Sequence, residues 1–187
     1  QPDNVGRRDQ SHRPARTAVS VAGIALGVLL VVFTVGLAHG LLRERGKREA
    51  NIGAEIMLRP SGSIGLGGSQ SFTIPMAHAA EVAQIPGVRL AVPIGQHLDK
   101  SDSGFGTRLI EGIPFEQYSE LNHLTIKEGR GLQKGDEVIV DSNWQAERNA
   151  VVGSTIELYE RPFKLVGIYA PPGGGRLKIP LATMQDQ

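Results

Sequence analysis

From Thr17 to Leu42 the chain runs through 26 positions without an aspartate, glutamate, lysine or arginine. A bilayer core needs only about 20 apolar residues at ~1.5 Å rise each, so this run predicts a transmembrane helix. A cleaved signal peptide is the competing reading, because Arg7, Arg8, Arg13 and Arg16 make a basic lead and Gly36-Leu-Ala38 offers small residues. Signal cores run to about 7–15 residues, and the greater length here favours a retained helix. Arg7-Arg8 is followed by polar Asp-Gln-Ser-His, which does not suit a twin-arginine export signal. Beyond Leu42 the pattern changes to Arg43, Arg45, Lys47 and Arg48 interleaved with Glu44 and Glu49. Glu44 with Arg48, and Arg45 with Glu49, stand four apart on one helix face, so residues 43–50 are expected to continue the helix as a stalk.

From Asn51 onward short β-rich runs alternate with helical ones, punctuated by Gly and Pro. Ala54 to Arg59 reads as a strand and the Gly- and Ser-rich stretch Pro60 to Ser71 as a loop. Pro75 to Gln84 predicts a helix with a small apolar face of Ala77, Ala80, Val82 and Ala83, ended by Pro86-Gly87. Strands follow at Val88 to Ile94 and Thr107 to Ile113, then a helix at Pro114 to Leu121 and a strand at Glu137 to Val140. A helix over Ser142 to Asn149 is expected to be capped by Asp141 or Ser142. Ile156 to Tyr159 and Phe163 to Tyr169 read as a hairpin around Glu160-Arg161-Pro162, with Gly153-Ser154 as the turn before it. Ile179 to Leu181 adds a last strand, and Ala182 to Gln187 looks like a helix beginning. The expected fold class is α+β: one N-terminal transmembrane helix with its stalk, followed by a mixed α/β extracytoplasmic domain.

Charge sharpens the division. Residues 1–16 and 43–49 each carry a net +2, and residues 50–187 carry −3. A nucleic-acid binder would concentrate its Lys and Arg on the folded domain, so that class is excluded. The basic clusters on either side of the helix nearly tie under the positive-inside rule, which leaves orientation undecided by charge. Cysteine is absent, which excludes disulfides, thiol catalysis and thiolate metal sites. Gly23 with Gly27, and Gly36 with Gly40, have the four-residue spacing that lets helix backbones approach, and they are the candidate helix-packing positions.

No catalytic, cofactor-binding or metal residue is assigned. Gly65-Leu-Gly67-Gly68 and Gly173-Gly174-Gly175 complete neither a dinucleotide fingerprint nor a phosphate loop, and read as loops or hinges. Asp99-Lys-Ser-Asp-Ser-Gly104 imitates the start of a calcium loop, but its twelfth position is Ile110 where a bidentate Glu is needed, so a solvated turn is expected. His12, His39, His78, His97 and His123 lack paired ligand spacing, and no Gly-x-Ser-x-Gly elbow exists. Asp136-Glu137 and Glu157 with Glu160 read as solvated charges on strand edges.

Several stretches in order carry a resemblance. His12-Arg-Pro-Ala-Arg-Thr-Ala-Val-Ser-Val-Ala-Gly-Ile-Ala-Leu-Gly27 is similar to the lead into the first transmembrane helix of ABC transporter permeases of the MacB/FtsX-like family, and Gly53-Ala-Glu-Ile-Met-Leu58 to the first strand after their stalk. Ile85-Pro-Gly-Val88 with Val92-Pro93, Gly129-Arg130, and Gly135-Asp-Glu-Val-Ile-Val140 resemble later segments of the family's periplasmic core domain. Val152-Gly-Ser-Thr-Ile156, Arg161-Pro-Phe-Lys-Leu-Val-Gly-Ile168 and Ile179-Pro-Leu-Ala-Thr-Met-Gln185 complete the series.

The resemblance implies a basic cytoplasmic lead over 1–16, a transmembrane helix over 17–42, a stalk over 43–50 and a MacB-like periplasmic core domain over 51–187. It implies a non-catalytic permease subunit in the cell membrane, among membrane lipids, with its N-terminus in the cytoplasm. Its expected partners are an ABC ATP-binding subunit and a second permease subunit, as homo- or heterodimer, with no cofactor. Family permeases carry three further transmembrane helices after this domain, so the chain is expected to be an N-terminal fragment. The competing readings are a single-pass anchored module that binds a ligand or partner outside the cytoplasm, and a membrane-anchored enzyme.

Overall fold

The computed structural model describes residues 14–60, 74–100 and 107–186. The expected basic lead up to Arg13, most of the loop expected at Pro60 to Ser71, and residues 101–106 lie outside the described residues. Two compact units divide the chain, Gln1–Gly46 and Lys47–Gln187.

The first unit is helical. Helix α1 (Pro14–Ala50) is 37 residues long and continues past the boundary, so its last turn belongs to the second unit. Its side chains from Ala15 to Leu42 are exposed, and it is long and apolar enough to cross a membrane. The Ser20 hydroxyl donates to the Arg16 carbonyl at 3.1 Å and the Thr34 hydroxyl to that of Leu30 at 2.7 Å, so these two polar groups are satisfied within the helix.

The second unit contains α2 (Ala77–Ala83), β1 (Gly95–Lys100), β2 (Thr107–Ile113), α3 (Phe115–Asn122), β3 (Thr125–Gly129) and β4 (Glu137–Asp141). It continues with α4 (Ser142–Arg148), β5 (Thr155–Leu158), β6 (Arg161–Ala170), β7 (Leu177–Pro180) and α5 (Leu181–Gln185). The strands form one mixed sheet in the order β1-β2-β7-β4-β6-β3, with β5 also paired to β6. β2 runs parallel to β7 and β4 parallel to β6, while β7 and β4 are antiparallel.

The central strands are buried on both faces, which explains their nearly continuous apolar runs. Val138, Val140, Phe163, Leu165 and Trp144 pack on one side, and Ile139, Val166, Tyr169, Tyr118 and Leu132 on the other. The sheet also curls. Arg108 on β2 binds the Asp99 carboxylate at 2.8 Å and donates to the Glu157 carbonyl on β5, and the His97 ring on β1 lies 4.7 Å from that of Tyr159. Strands remote in ladder order are thereby closed by side chains into a half-barrel.

Two expected strands are corrected. Ala54 to Arg59 joins no ladder among the described residues, and Ile56 and Leu58 are exposed. Val88 to Ile94 is half-buried, with Val92 and Ile94 against the second core, yet the ladder begins one residue later, at Gly95. Pro93 has no N–H to donate, so an apolar extended run packs there without pairing. The helix expected at Pro75 to Gln84 forms as the shorter α2, and its small apolar face stays unburied within the chain. The turn of the β5–β6 hairpin is Tyr159-Glu160, because Arg161 and Pro162 are already paired with Leu158 and Glu157.

Candidate functional site

Charged residues inside apolar runs mark the site. Glu111 follows Ile110 in β2, Asp141 ends the apolar run of β4, and Lys178 stands between Leu177 and Ile179 in β7. Register aligns Glu111 with Lys178 on neighbouring parallel strands, and Asp141 with Tyr169 on β4 and β6. Glu111 is 3%, Asp141 0% and Lys178 0% exposed. Charges this deep require partners.

Lys178 has three. Its ammonium donates to Glu111 Oε2 at 2.5 Å and to the Gly173 and Gly175 carbonyls, each at 3.1 Å. The Tyr118 and Tyr169 ring centroids lie 4.8 and 5.2 Å from Nζ, offering their faces to the cation. Burial pushes the Lys178 ammonium below its ordinary pKa, against the pull of Glu111. Burial likewise raises the Tyr118 and Tyr169 hydroxyls, reinforced at Tyr118 by Glu111 and at Tyr169 by Asp141. Both phenols are therefore neutral donors: Tyr118 bonds Glu111, and Tyr169 bonds the Gly175 carbonyl at 2.8 Å.

The triple glycine is explained by the same carboxylate. Gly174 has φ +59°, and a Cβ there would lie 2.7 Å from Glu111 Oε1. One at Gly175 would lie 2.9 Å from Glu111 Cγ. The loop rests directly on the ion pair, and only glycine permits that approach.

The fourth charge comes from the last turn of α1. Arg48, with its side chain 12% exposed, places Nη1 2.8 Å from Asp141 Oδ2 and 3.5 Å from the Gly174 carbonyl oxygen. Two further bonds hold the segment that follows: Asn51 Nδ2 donates to the Pro172 carbonyl at 2.6 Å, and the Gly53 amide to Asn122 Oδ1 at 2.9 Å. Asp141 has a second task, since its Oδ1 accepts from the Trp144 amide at 2.7 Å and caps α4. Beside the cluster, Asn51, Tyr118, Tyr169 and Lys178 help to line a cavity of about 10 Å³, the scale of one water. The arrangement is two balanced ion pairs that clamp a loop and a helix end. It is suited to holding parts together.

The residues singled out in the sequence lie elsewhere. At Gly23, Gly27, Gly36 and Gly40 an added Cβ would meet nothing within 4 Å, so the helix surface there is open. His97 stacks on Tyr159, His78 meets Glu81 at 2.7 Å, His123 ends α3 in the left-handed region with φ 50°, and His39 is exposed. Asp99 sits in β1 and not in a turn. Burial would raise its carboxyl, but Arg108 and the Lys100 amide hold it below the usual range. Glu137 is more confined than a solvated charge: Arg130 grips both its oxygens, at 2.5 and 2.9 Å, and the Gln133 amide donates to it at 2.9 Å. Among the described residues no group of three or more His, Asp or Glu could hold a metal ion.

Compared with known families, the chain matches the MacB-like periplasmic core domain over residues 17–187. It belongs to that family. The MacB-like periplasmic core domain is part of ABC-type transporter permeases, so this is the extracytoplasmic domain of a membrane protein, preceded by an apolar helix. Two solved structures are similar in fold. The periplasmic region of MacB from Actinobacillus actinomycetemcomitans shares 20% identity at TM-score 0.46, covering 59% of this chain and 56% of that one. The extracellular domain of the noncanonic ABC-type transporter YknZ from Gram-positive bacteria shares 12% at TM-score 0.47, covering 60% of this chain and 65% of that one. The chain thus spans less than two thirds of either structure. No curated protein sequence matches it.

The buried quartet escaped the sequence reading, which assigned Arg48 to the stalk's own ion pairs and Asp141 only to a cap. A signal was present. A Lys flanked by Leu and Ile, and a Glu flanked by Ile and Gly, break runs that are otherwise wholly apolar.

Proposed function

We propose that the chain is the permease subunit of an ABC transporter, coupling ATP hydrolysis by a separate cytoplasmic subunit to movement of the extracytoplasmic domain, which exports or extracts substrate. The observation that carries this reading is the family match from residue 17 onward, which includes both the apolar helix and the domain after it. The uninterrupted α1 supports it. A helix of 37 residues is about 55 Å long at ~1.5 Å per residue, well beyond the ~30 Å of a bilayer core, so it can carry displacement out of the membrane.

In this reading residues 1–16 lie in the cytoplasm, 17–42 cross the membrane, 43–50 form the stalk and 51–187 the outer domain. Gly23, Gly27, Gly36 and Gly40 offer close approach to other transmembrane helices, including those of a second permease subunit. The ATPase resides on a partner chain. The reading frame beyond Gln187 tests this directly. Three membrane-length apolar segments, beside a gene for an ATP-binding cassette protein, are expected; a stop codon immediately after Gln187 would leave a single-pass binding module instead.

A further inference from the structure

Three of the four buried charges, Glu111, Lys178 and Asp141, are carried on strands β2, β7 and β4 of one sheet, whereas Arg48 is carried on the last turn of α1. Asp141 cannot follow Arg48 if that turn moves. Its Oδ1 holds the Trp144 amide, and its own amide donates to the Arg176 carbonyl at 3.1 Å. Lys178 cannot substitute either, because an ammonium has three donors and all three are engaged, by Glu111, Gly173 and Gly175. Withdrawal of Arg48 therefore either drags β4 and α4 along, or leaves a fully buried carboxylate without its counter-ion.

We propose that Arg48 and Asp141 are the positioning pair through which motion of α1 enters the sheet. Only the source of the motion rests on the permease reading; docking of the helix end is a property of this chain alone. The ionisable groups around Asp141 are Arg48 from α1, Lys178 from β7, Tyr169 from β6, and, one contact further, Glu111 from β2 and Tyr118 from α3. On α4, Glu147 is paired with Arg176 and Arg148 lies over the Trp144 ring.

The test uses the full chain in detergent micelles. Amide exchange over residues 47–53 reads docking, and fluorescence of Trp144, the single tryptophan, reads the capped end of α4. Asp141→Asn keeps an effective cap but removes the charge that meets Arg48. In the parent chain, residues 47–53 are expected to be protected from exchange at neutral pH. Asp141→Asn and Arg48→Gln are each expected to exchange about tenfold faster there than the parent chain or more, with the double variant no faster than either. Arg48→Lys is expected to restore docking at neutral pH, which separates loss of the joint from misfolding, and unchanged protection of β4 and β6 amides provides a second control. Parent-like docking in Asp141→Asn or in Arg48→Gln overturns the joint and leaves the permease reading standing. A stop codon after Gln187 does the reverse.

Discussion

Replacing Lys178 by Met keeps most of the side chain's volume and removes the cation from the centre of the domain. Glu111, 3% exposed, would then retain the Gln96 amide at 3.2 Å and the Tyr118 hydroxyl, but no positive charge in contact. Breaking one side of a buried pair costs about 3–5 kcal/mol, because the surviving charge is left uncompensated. The Gly173 carbonyl also loses its donor, whereas Gly175 keeps Tyr169. A loss of that size is a large share of the about 5–15 kcal/mol that stabilises an ordinary domain. Glu111→Gln removes the other charge while keeping the shape. The double variant Lys178→Met with Glu111→Gln is therefore expected to be less destabilised than the two single losses added, by about 1–3 kcal/mol. Urea unfolding of the full chain in detergent, followed by near-ultraviolet circular dichroism, measures each corner of the cycle. A cost below about 1 kcal/mol for Lys178→Met, or losses that add within about 0.5 kcal/mol, would refute the claim that this pair organises the centre.

Other consequences can be checked in the same preparation. Gly174→Ala is expected to cost more than Gly135→Ala: both positions have positive φ, but a Cβ at Gly135 meets open space and one at Gly174 meets the Glu111 carboxylate. Equal melting temperatures for the two variants would contradict the packing of the loop on that carboxylate. Glu160, at φ 58° in a two-residue hairpin turn, occupies a position that suits glycine, so Glu160→Gly is expected to stabilise by about 0.5–1 kcal/mol and to raise Tm. A lowered Tm would show that the Glu160 side chain contributes more than its backbone conformation costs. Arg130 holds the Glu137 carboxyl below its ordinary value of 4.5, so this group contributes stability above that pH and loses it as pH falls through the folded value. An unfolding series on the acid side should therefore slope less steeply in Glu137→Gln than in the parent chain; identical slopes would contradict the assignment.

Where the chain is both apolar and regular, its architecture was legible. β2 falls at Thr107–Ile113 as expected, and β4, α4 with its Asp141 cap, and both strands of the final hairpin form within a residue or two of the positions read from the pattern. These elements bury at least one face or are capped by a side chain, so local preference and packing agree. Edge elements were less legible. β1, Gly-Gln-His-Leu-Asp-Lys, and β3, Thr-Ile-Lys-Glu-Gly, expose most of their side chains and lack a dense apolar signal. They are strands because β2 and β6 supply ladder partners, which a local window cannot see. Ala54 to Arg59 shows the converse, a β-prone run without a partner among the described residues. The site was illegible for a related reason. A charged residue is ordinarily solvated. Only the register of β2 against β7, and the return of the chain's Arg48 to Asp141 across 93 residues, brings these four charges together.

The central claim, that this chain is the membrane-spanning partner of a separate ATPase, is tested most directly by purification. The complete gene product would be expressed with the ATP-binding cassette protein encoded beside it, extracted in detergent and isolated through a tag on the permease. Stoichiometric recovery of the cassette protein, with ATP hydrolysis that depends on the permease, is the result the account predicts. Recovery of the tagged protein without any cassette partner, or hydrolysis unaffected by its presence, would contradict it.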